Sequence, residues 1–181
     1  MEFTPVQNDQ WSEIKKIYME AFPKCERKPY FALRYSVQTG KTHMMVASEN
    51  HQVCGFIALI SYKNAIIVDY LAVSSKIRSK GTGSYMLKKI QQQFSDKNII
   101  LLIERPDDFA KNREQRIARR KFYLKNGFTS SNLFITGVSG DMEIMNCGNV
   151  LSKDECIPLL KYAIGNLFFR LSHIKLIENN F

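Results

Sequence analysis

The stretch Leu71-Ala72-Val73-Ser74-Ser75-Lys76-Ile77-Arg78-Ser79-Lys80-Gly81-Thr82-Gly83-Ser84 decides how the chain is read. Its first three residues end an apolar run, Ala65–Val73, that reads as a strand. From about Thr82 the pattern changes to helical, with Met86, Leu87, Ile90 and Phe94 falling on one face. A glycine-rich turn feeding a helix presents unpaired backbone N–H groups at the positive end of the helix dipole, which suits a phosphate or pyrophosphate. Gly81 and Gly83 let the backbone approach such an anion without a Cβ in the way, and Arg78 and Lys80 add positive charge beside it. The stretch is not a Walker A loop, because no Lys-Ser/Thr follows the glycines. Nor is it the dinucleotide fingerprint, since the place of a third glycine holds Met86.

Working upstream, His43–Ser48 and Val53–Tyr62 flank the polar Glu49-Asn50-His51-Gln52 and read as a hairpin. Lys63-Asn64 then turns the chain into Ala65–Val73, so three successive strands form an antiparallel meander. Before them, Trp11, Ile14, Ile17, Tyr18 and Phe22 recur at helical spacing up to Pro23, and a second helix is expected from about Pro29 to Gly40. A first strand lies near Phe3–Val6. Downstream, Asn98–Ile103 is a short apolar strand, expected parallel to the preceding one because a helix separates them. Asn112–Lys125 is helical and stops at Asn126-Gly127, and Thr129–Thr136 with Met142–Met145 reads as a closing hairpin. Ser152-Lys153-Asp154-Glu155 has the form of a capping box, opening a helix expected to turn Ile157, Leu160, Ile164, Leu167, Phe168 and Leu171 inward.

Arg78-Ser79-Lys80-Gly81-Thr82-Gly83 fits the Gln/Arg-x-x-Gly-x-Gly/Ala motif of the GCN5-related N-acetyltransferase (GNAT) superfamily. Alone the motif says little, since chance yields it on the order of 0.1–0.2 times in a chain of this length. Three further features coincide with it. Leu71-Ala72-Val73 stands where the fourth strand of the superfamily would end, and Phe122-Tyr123-Leu124-Lys125-Asn126-Gly127-Phe128 is similar to its Phe-Tyr-x-x-x-Gly-Phe run. The order of elements from Phe3 to Met145 also agrees, so the chain resembles a bacterial-type GNAT member. The implied fold is α/β (α+β): a single domain with a mixed, mostly antiparallel central sheet, splayed between strands 4 and 5 and flanked by helices. Residues 1–147 are expected to form the core, and residues 148–181 a C-terminal helical extension of the same domain.

The resemblance implies an acetyltransferase that uses acetyl-CoA as co-substrate and no metal. Main-chain groups of Leu71, Ala72 and Val73 would pair with the pantetheine arm. The backbone of Arg78, Ser79, Lys80, Gly81, Thr82, Gly83 and Ser84 would hold the pyrophosphate, and Tyr123 would lie near the coenzyme sulfur. Chemistry supplies a reason for these places. An alkylamine with a pKa of about 10.4 is almost wholly protonated at neutral pH, so a base or a water relay must take its proton. The departing thiolate leaves more readily when a phenol donates to it, which makes Tyr123 the candidate acid. Three routes for the base stay open. Asp69 shares a strand face with Leu71 and Val73, Glu104 ends the following strand where the two strands would part, and water could relay the proton to bulk.

The basic helix departs from the superfamily pattern. Many members carry Asn and Ala seven and four residues before the tyrosine, where this chain has Arg116 and Arg119. Some of Arg113, Arg116, Arg119 and Arg120 are therefore expected to meet cofactor phosphates or an acidic partner, the alternative being a solvated face. The superfamily's acceptor wall corresponds to the connection between the first two helices. Glu20 and Glu26 are candidates to hold a cationic amine there, beside an apolar wall of Phe22, Tyr30 and Phe31. Three roles are open to the helix after Ser152: covering the acceptor side, making a homodimer contact, or completing the core.

Bulk properties agree. The chain has 181 residues, enough for one domain with its own core. The four cysteines form no C-x-x-C pair and the three histidines are scattered, so no metal-site spacing is present. The longest apolar stretch, Val53–Ile60, is far below the ~20 residues of a membrane span, and Glu2 with Thr4–Asp9 interrupts any signal-peptide core. A cytoplasmic protein with no membrane partner is expected. A net charge of +9 calls for an anionic partner without choosing one. A nucleic-acid-binding protein is disfavoured because no RNP, helix-turn-helix or zinc-finger signature is present. A domain that senses acetyl-CoA without transferring the acyl group stays open.

Overall fold

The computed structural model describes residues 1–24, 26–77, 81–137 and 140–178. The sequence assignments made to Cys25 and to Arg78, Ser79 and Lys80 lie outside the described residues. The elements run β1 (Glu2–Pro5), α1 (Trp11–Ala21), α2 (Tyr30–Gln38), β2 (His43–Glu49), β3 (Gln52–Tyr62), β4 (Ala65–Val73), α3 (Thr82–Gln93), β5 (Asn98–Glu104), α4 (Arg113–Lys125), β6 (Thr129–Thr136), β7 (Met142–Cys147), α5 (Lys153–Ile164), α6 (Asn166–Leu171) and β8 (Lys175–Glu178). They build a mixed α/β fold on one sheet of order β1-β2-β3-β4-β5-β7-β6-β8, mostly antiparallel with β4 and β5 parallel. The chain's internal contacts fall into two units, Met1–Ser61 with Val68–Phe94, and Tyr62–Ile67 with Ser95–Phe181.

In the first unit the register follows from turn chemistry. Asn50 and His51 both take left-handed φ angles, 50° and 63°, as a two-residue hairpin turn with right-handed twist requires. That turn sets Glu49 opposite Gln52, with an irregularity between Ala47 and Ser48. β3 is buried from Val53 to Ile60, the run of a strand covered on both faces. Gly55 is required there, because a Cβ would stand 2.5 Å from the carbonyl oxygen of Ala72. Trp11, Ile14, Ile17 and Tyr18 of α1 bury the expected stripe and pack with Leu33, Val46, Phe56, Tyr70 and Ala72. On the other side of β4, Leu71 and Val73 pack with Met86 of α3, Ala47 and Cys54.

In the second unit β7, not β6, lies beside β5, pairing Ile99–Glu104 with Cys147–Met142. α4 follows a different rule from the other long helices: Tyr123 is its one buried residue among those described. α5 opens on the capping box expected from sequence, with the Ser152 hydroxyl accepting from the Glu155 amide and the Glu155 carboxylate accepting from the Ser152 amide (3.1 Å). The expected single helix is broken at Gly165, which resets the helical phase. Cys156, Leu159, Leu160 and Ala163 are buried, while Leu167, Phe168 and Leu171 point outward, more than 60% exposed, contrary to the expected inward face. The segment then ends in β8, which pairs with β6. No helix among the described residues is long and apolar enough to cross a membrane.

Candidate active site

The first unit contributes the end of β4 and the start of α3. Gly81 caps α3 at φ 85°, a left-handed conformation, with no neighbour among the described residues within 4 Å of where a Cβ would stand. The first helical bond of α3 runs from the Tyr85 amide to the Gly81 carbonyl at 2.9 Å. The amides of Thr82, Gly83 and Ser84 therefore have no acceptor within the helix, and no side-chain cap is made at Gly81 among the described residues. Thr82 itself is 2% exposed, and its hydroxyl lacks a hydrogen-bond partner among the described residues. A buried hydroxyl left without a partner costs about 1–3 kcal/mol, so its place at a helix N-terminus needs a reason. Open amides at a helix N-terminus are of the kind that would fit a pyrophosphate.

Asp69, Leu71 and Val73 are half-buried and share one face of β4. Asp69 is ion-paired: the Lys28 ammonium lies 2.7 and 2.9 Å from its two oxygens. Lys28 belongs to the connection between α1 and α2, and its role is one that sequence reading missed. Of the residues expected in an acceptor wall there, Phe22 packs edge-on against Tyr70 with ring centres 5.0 Å apart, and Tyr30 donates to the Trp11 carbonyl at 2.6 Å. Glu20 and Glu26 are exposed, as is Phe31.

The second unit contributes Glu104, α4 and the loops beside them. Glu104 is half-buried at the end of β5 and held by two guanidinium groups, Arg116 at 2.9 Å and Arg119 at 3.0 Å. The Asn112 amide donates to the same carboxylate at 3.1 Å, and Arg116 also donates to the Arg105 carbonyl at 3.1 Å. Arg120 donates to both oxygens of the buried Glu143 at 2.8 and 3.1 Å, a pairing that raises the guanidinium pKa further. Arg113 binds Asp108 at 2.8 Å. Arg113, Arg116, Arg119 and Arg120, some of them expected from sequence to meet phosphates or an acidic partner, thus pair with carboxylates of their own chain. This network fastens a helix that has little apolar surface to bury.

Tyr123 sits inside this frame, its ring between Phe122 (5.1 Å) and Phe128 (5.7 Å). Burial pushes its phenol up to about 12, against a smaller opposing pull from the Arg119 charge. The phenol therefore stays protonated throughout the physiological range. A cleft of about 640 Å³ opens beside Glu104, lined also by Arg105, Asp107, Phe109, Arg116 and Asp141. Among the described residues no group of His, Cys, Asp and Glu is arranged to hold a metal.

A strand-turn-helix with open amides, followed by a parallel strand and a helix carrying a buried tyrosine, is the α/β arrangement that the sequence resemblance implies. The family model for the GNAT acetyltransferase domain matches residues 40–130, and the chain belongs to that family. No curated protein sequence matches it. Among solved structures, a GNAT-family protein from Bacteroides thetaiotaomicron superposes with a TM-score of 0.72 at 21% identity, covering 97% of this chain and 100% of its own. An aminoglycoside 6'-N-acetyltransferase complexed with coenzyme A gives 0.66 at 13% identity, covering 84% of this chain and 99% of that one. The ribosomal-protein-S18-alanine N-acetyltransferase from Escherichia coli gives 0.63 at 13% identity, covering 84% and 96%. At these identities the likeness is one of fold.

Proposed function

We propose that the chain is an acetyl-CoA-dependent N-acetyltransferase, moving the acetyl group to a primary amine of a small molecule or peptide by direct attack on the thioester. The observation that carries this reading is the unpartnered, buried Thr82 hydroxyl beside the open amides of the first turn of α3. In this proposal the amides of Thr82, Gly83 and Ser84 hold the pyrophosphate, with Gly81 keeping the approach open and Arg78, Ser79 and Lys80 completing the turn. Leu71, Ala72 and Val73 offer main-chain groups to the pantetheine arm. Tyr123 donates a hydrogen bond to the departing thiolate while keeping its own proton. Asp69, Glu104 or a water relay takes the proton of the amine.

Two neighbours in fold are named as N-acetyltransferases, of an aminoglycoside and of a ribosomal-protein alanine, and this supports nitrogen as the accepting atom. A cationic acceptor is supported by the acidic side chains that line the cleft, Asp107 and Asp141 among them, with Phe109 as an apolar contact. Glu20, Phe22 and Glu26 remain the candidate acceptor contacts of the first unit. Residues 1–147 act as the catalytic core in this reading, and residues 148–181 extend it. The test has two stages: thermal stabilisation by acetyl-CoA, then release of coenzyme A thiol across a panel of amines. Absence of stabilisation sinks the reading. Stabilisation without thiol release from any amine leaves a domain that binds acetyl-CoA and does not transfer from it.

A further inference from the structure

Lys28 is held from several sides. Its amide donates to the Tyr70 hydroxyl at 3.1 Å, and its carbonyl accepts from the Tyr18 hydroxyl at 3.1 Å. The Tyr70 hydroxyl in turn donates to the Glu26 carbonyl at 3.2 Å. Both tyrosines are buried and meet edge-on with ring centres 5.1 Å apart, so the frame around the backbone of Lys28 is part of the packed core. The side chain then lies over the Tyr70 ring, its nitrogen 5.6 Å from the ring centre, and ends on Asp69. An ordinary surface ion pair contributes little and is held by no such frame. Here backbone, ring and carboxylate together fix where the nitrogen stands, while 37% of the side chain stays exposed to an incoming group.

That place has a meaning in the proposed function, on which this inference rests. A pyrophosphate on residues 81–84 and a pantetheine arm running back along Val73 to Leu71 carry the thioester toward the start of β4. The next residue on the same face is Asp69, about 7 Å further along the strand. The thioester therefore arrives where the Lys28 nitrogen is already held.

We infer that Lys28 is a self-acetylation site, taking the acetyl group of acetyl-CoA with Asp69 as its base. One ammonium proton passes to the Asp69 carboxylate, and the freed lone pair of Nζ forms a bond to the thioester carbonyl carbon. The C–S bond breaks, and coenzyme A leaves with the electron pair as thiolate. The nitrogen loses a second proton as the amide forms, and the thiolate takes one up. The products are acetylated Lys28, coenzyme A thiol and one proton released to solvent. The ammonium charge is lost, and Asp69 is left without its cation.

The experiment incubates the full chain with acetyl-CoA and no added amine, then maps acetylated peptides by mass spectrometry over time. One acetyl group per chain is expected on Lys28, at a rate on the order of tenfold or more above the other lysines, because this one is pre-positioned against a base. Asp69→Asn should slow that step on the order of 10²-fold, the size of a general-base contribution. Lys28→Arg keeps the pair with Asp69 and should bind acetyl-CoA yet take up no stoichiometric acetyl group. Thermal stabilisation by acetyl-CoA is read on the same samples. Stabilisation with Lys28 modified no faster than other lysines overturns self-acetylation and leaves the acetyltransferase reading standing. Absence of stabilisation overturns both.

Discussion

Replacing Tyr123 with phenylalanine removes one oxygen from a side chain otherwise packed between Phe122 and Phe128. The size of the loss follows from where burial puts the phenol. With Tyr123 held at about 12 and a free thiol near 8.5, handing over the proton is uphill by roughly 5 kcal/mol. Tyr123 therefore acts in this proposal as a hydrogen-bond donor to developing negative charge on sulfur. A hydrogen bond to a charged group contributes about 1.5–3 kcal/mol, which predicts a fall in kcat of about 10- to 150-fold. The KM for acetyl-CoA should hardly move, since a neutral thioester sulfur gains little from the same donor. Steady-state thiol release by the wild type and Tyr123→Phe measures both constants. Because the phenol keeps its proton, the ratio of the two kcat values should be flat from neutral pH to about pH 9. A kcat within twofold of wild type would refute the assignment. A fall beyond about 10³-fold would refute the hydrogen-bond account and require full proton transfer.

Thr82→Val deletes the hydroxyl that has no partner among the described residues. The unliganded chain should be no less stable, while acetyl-CoA affinity by calorimetry should fall by about 10- to 150-fold, the value of one hydrogen bond to an anion; unchanged affinity, or a less stable unliganded chain, refutes it. Glu104→Gln leaves Arg116 and Arg119 half-buried without their carboxylate. Discounted for the partial exposure of both arginines, the cost is about 1–3 kcal/mol, a drop of several degrees in Tm by calorimetry, and a shift below one degree refutes it. The raised Tyr123 pKa also has a stability consequence with a definite sign. Below the ordinary pKa of 10.0 both folded and unfolded chains keep the phenolic proton, and from there to about 12 only the unfolded chain loses it. The Tyr123 contribution is thus intact below pH 10 and lost as pH rises toward 12, by up to about 3 kcal/mol. Tyr123→Phe should gain on the wild type by that amount in denaturant titrations across this range, and a constant difference refutes the shift.

Local pattern carried most of the fold. The hairpin at Asn50-His51, the stripe of α1 and the capping box at Ser152 are each fixed by residues a few positions apart, and such signals are visible in one sequence. The C-terminal segment shows where periodicity misleads. Leu167, Phe168 and Leu171 continue the apolar spacing of α5, but Gly165 breaks the helix and turns them outward. The candidate site divides in the same way. The turn at Gly81 and the run around Tyr123 could be read directly. The partners of Lys28, Arg119 and Arg120 lie 41, 15 and 23 residues away, so a sequence could count their charges without saying what neutralised them.

The two carboxylates offered as bases are each engaged by a cation, yet they are not equivalent. Glu104 is held by arginines, which stay charged under all ordinary conditions, and by Asn112. These bonds also fasten α4, whose burial rests on Tyr123 alone among its described residues. Freeing Glu104 to take a proton would mean loosening the helix that carries Tyr123, the proposed hydrogen-bond donor. Among the described residues Asp69 pairs with one cation, an amine that the inferred acylation would neutralise. Asp69 is thus the carboxylate that can be released, and Glu104 the one whose release costs structure. With saturating acetyl-CoA and an added amine, Asp69→Asn should lower kcat on the order of 10²-fold with little change in Tm. Glu104→Gln should lower Tm and change kcat by less than about tenfold at a temperature where both variants are folded. The reverse pattern, activity lost at Glu104 and retained at Asp69, would overturn this ordering. Equal retention in both would leave the proton to a water relay.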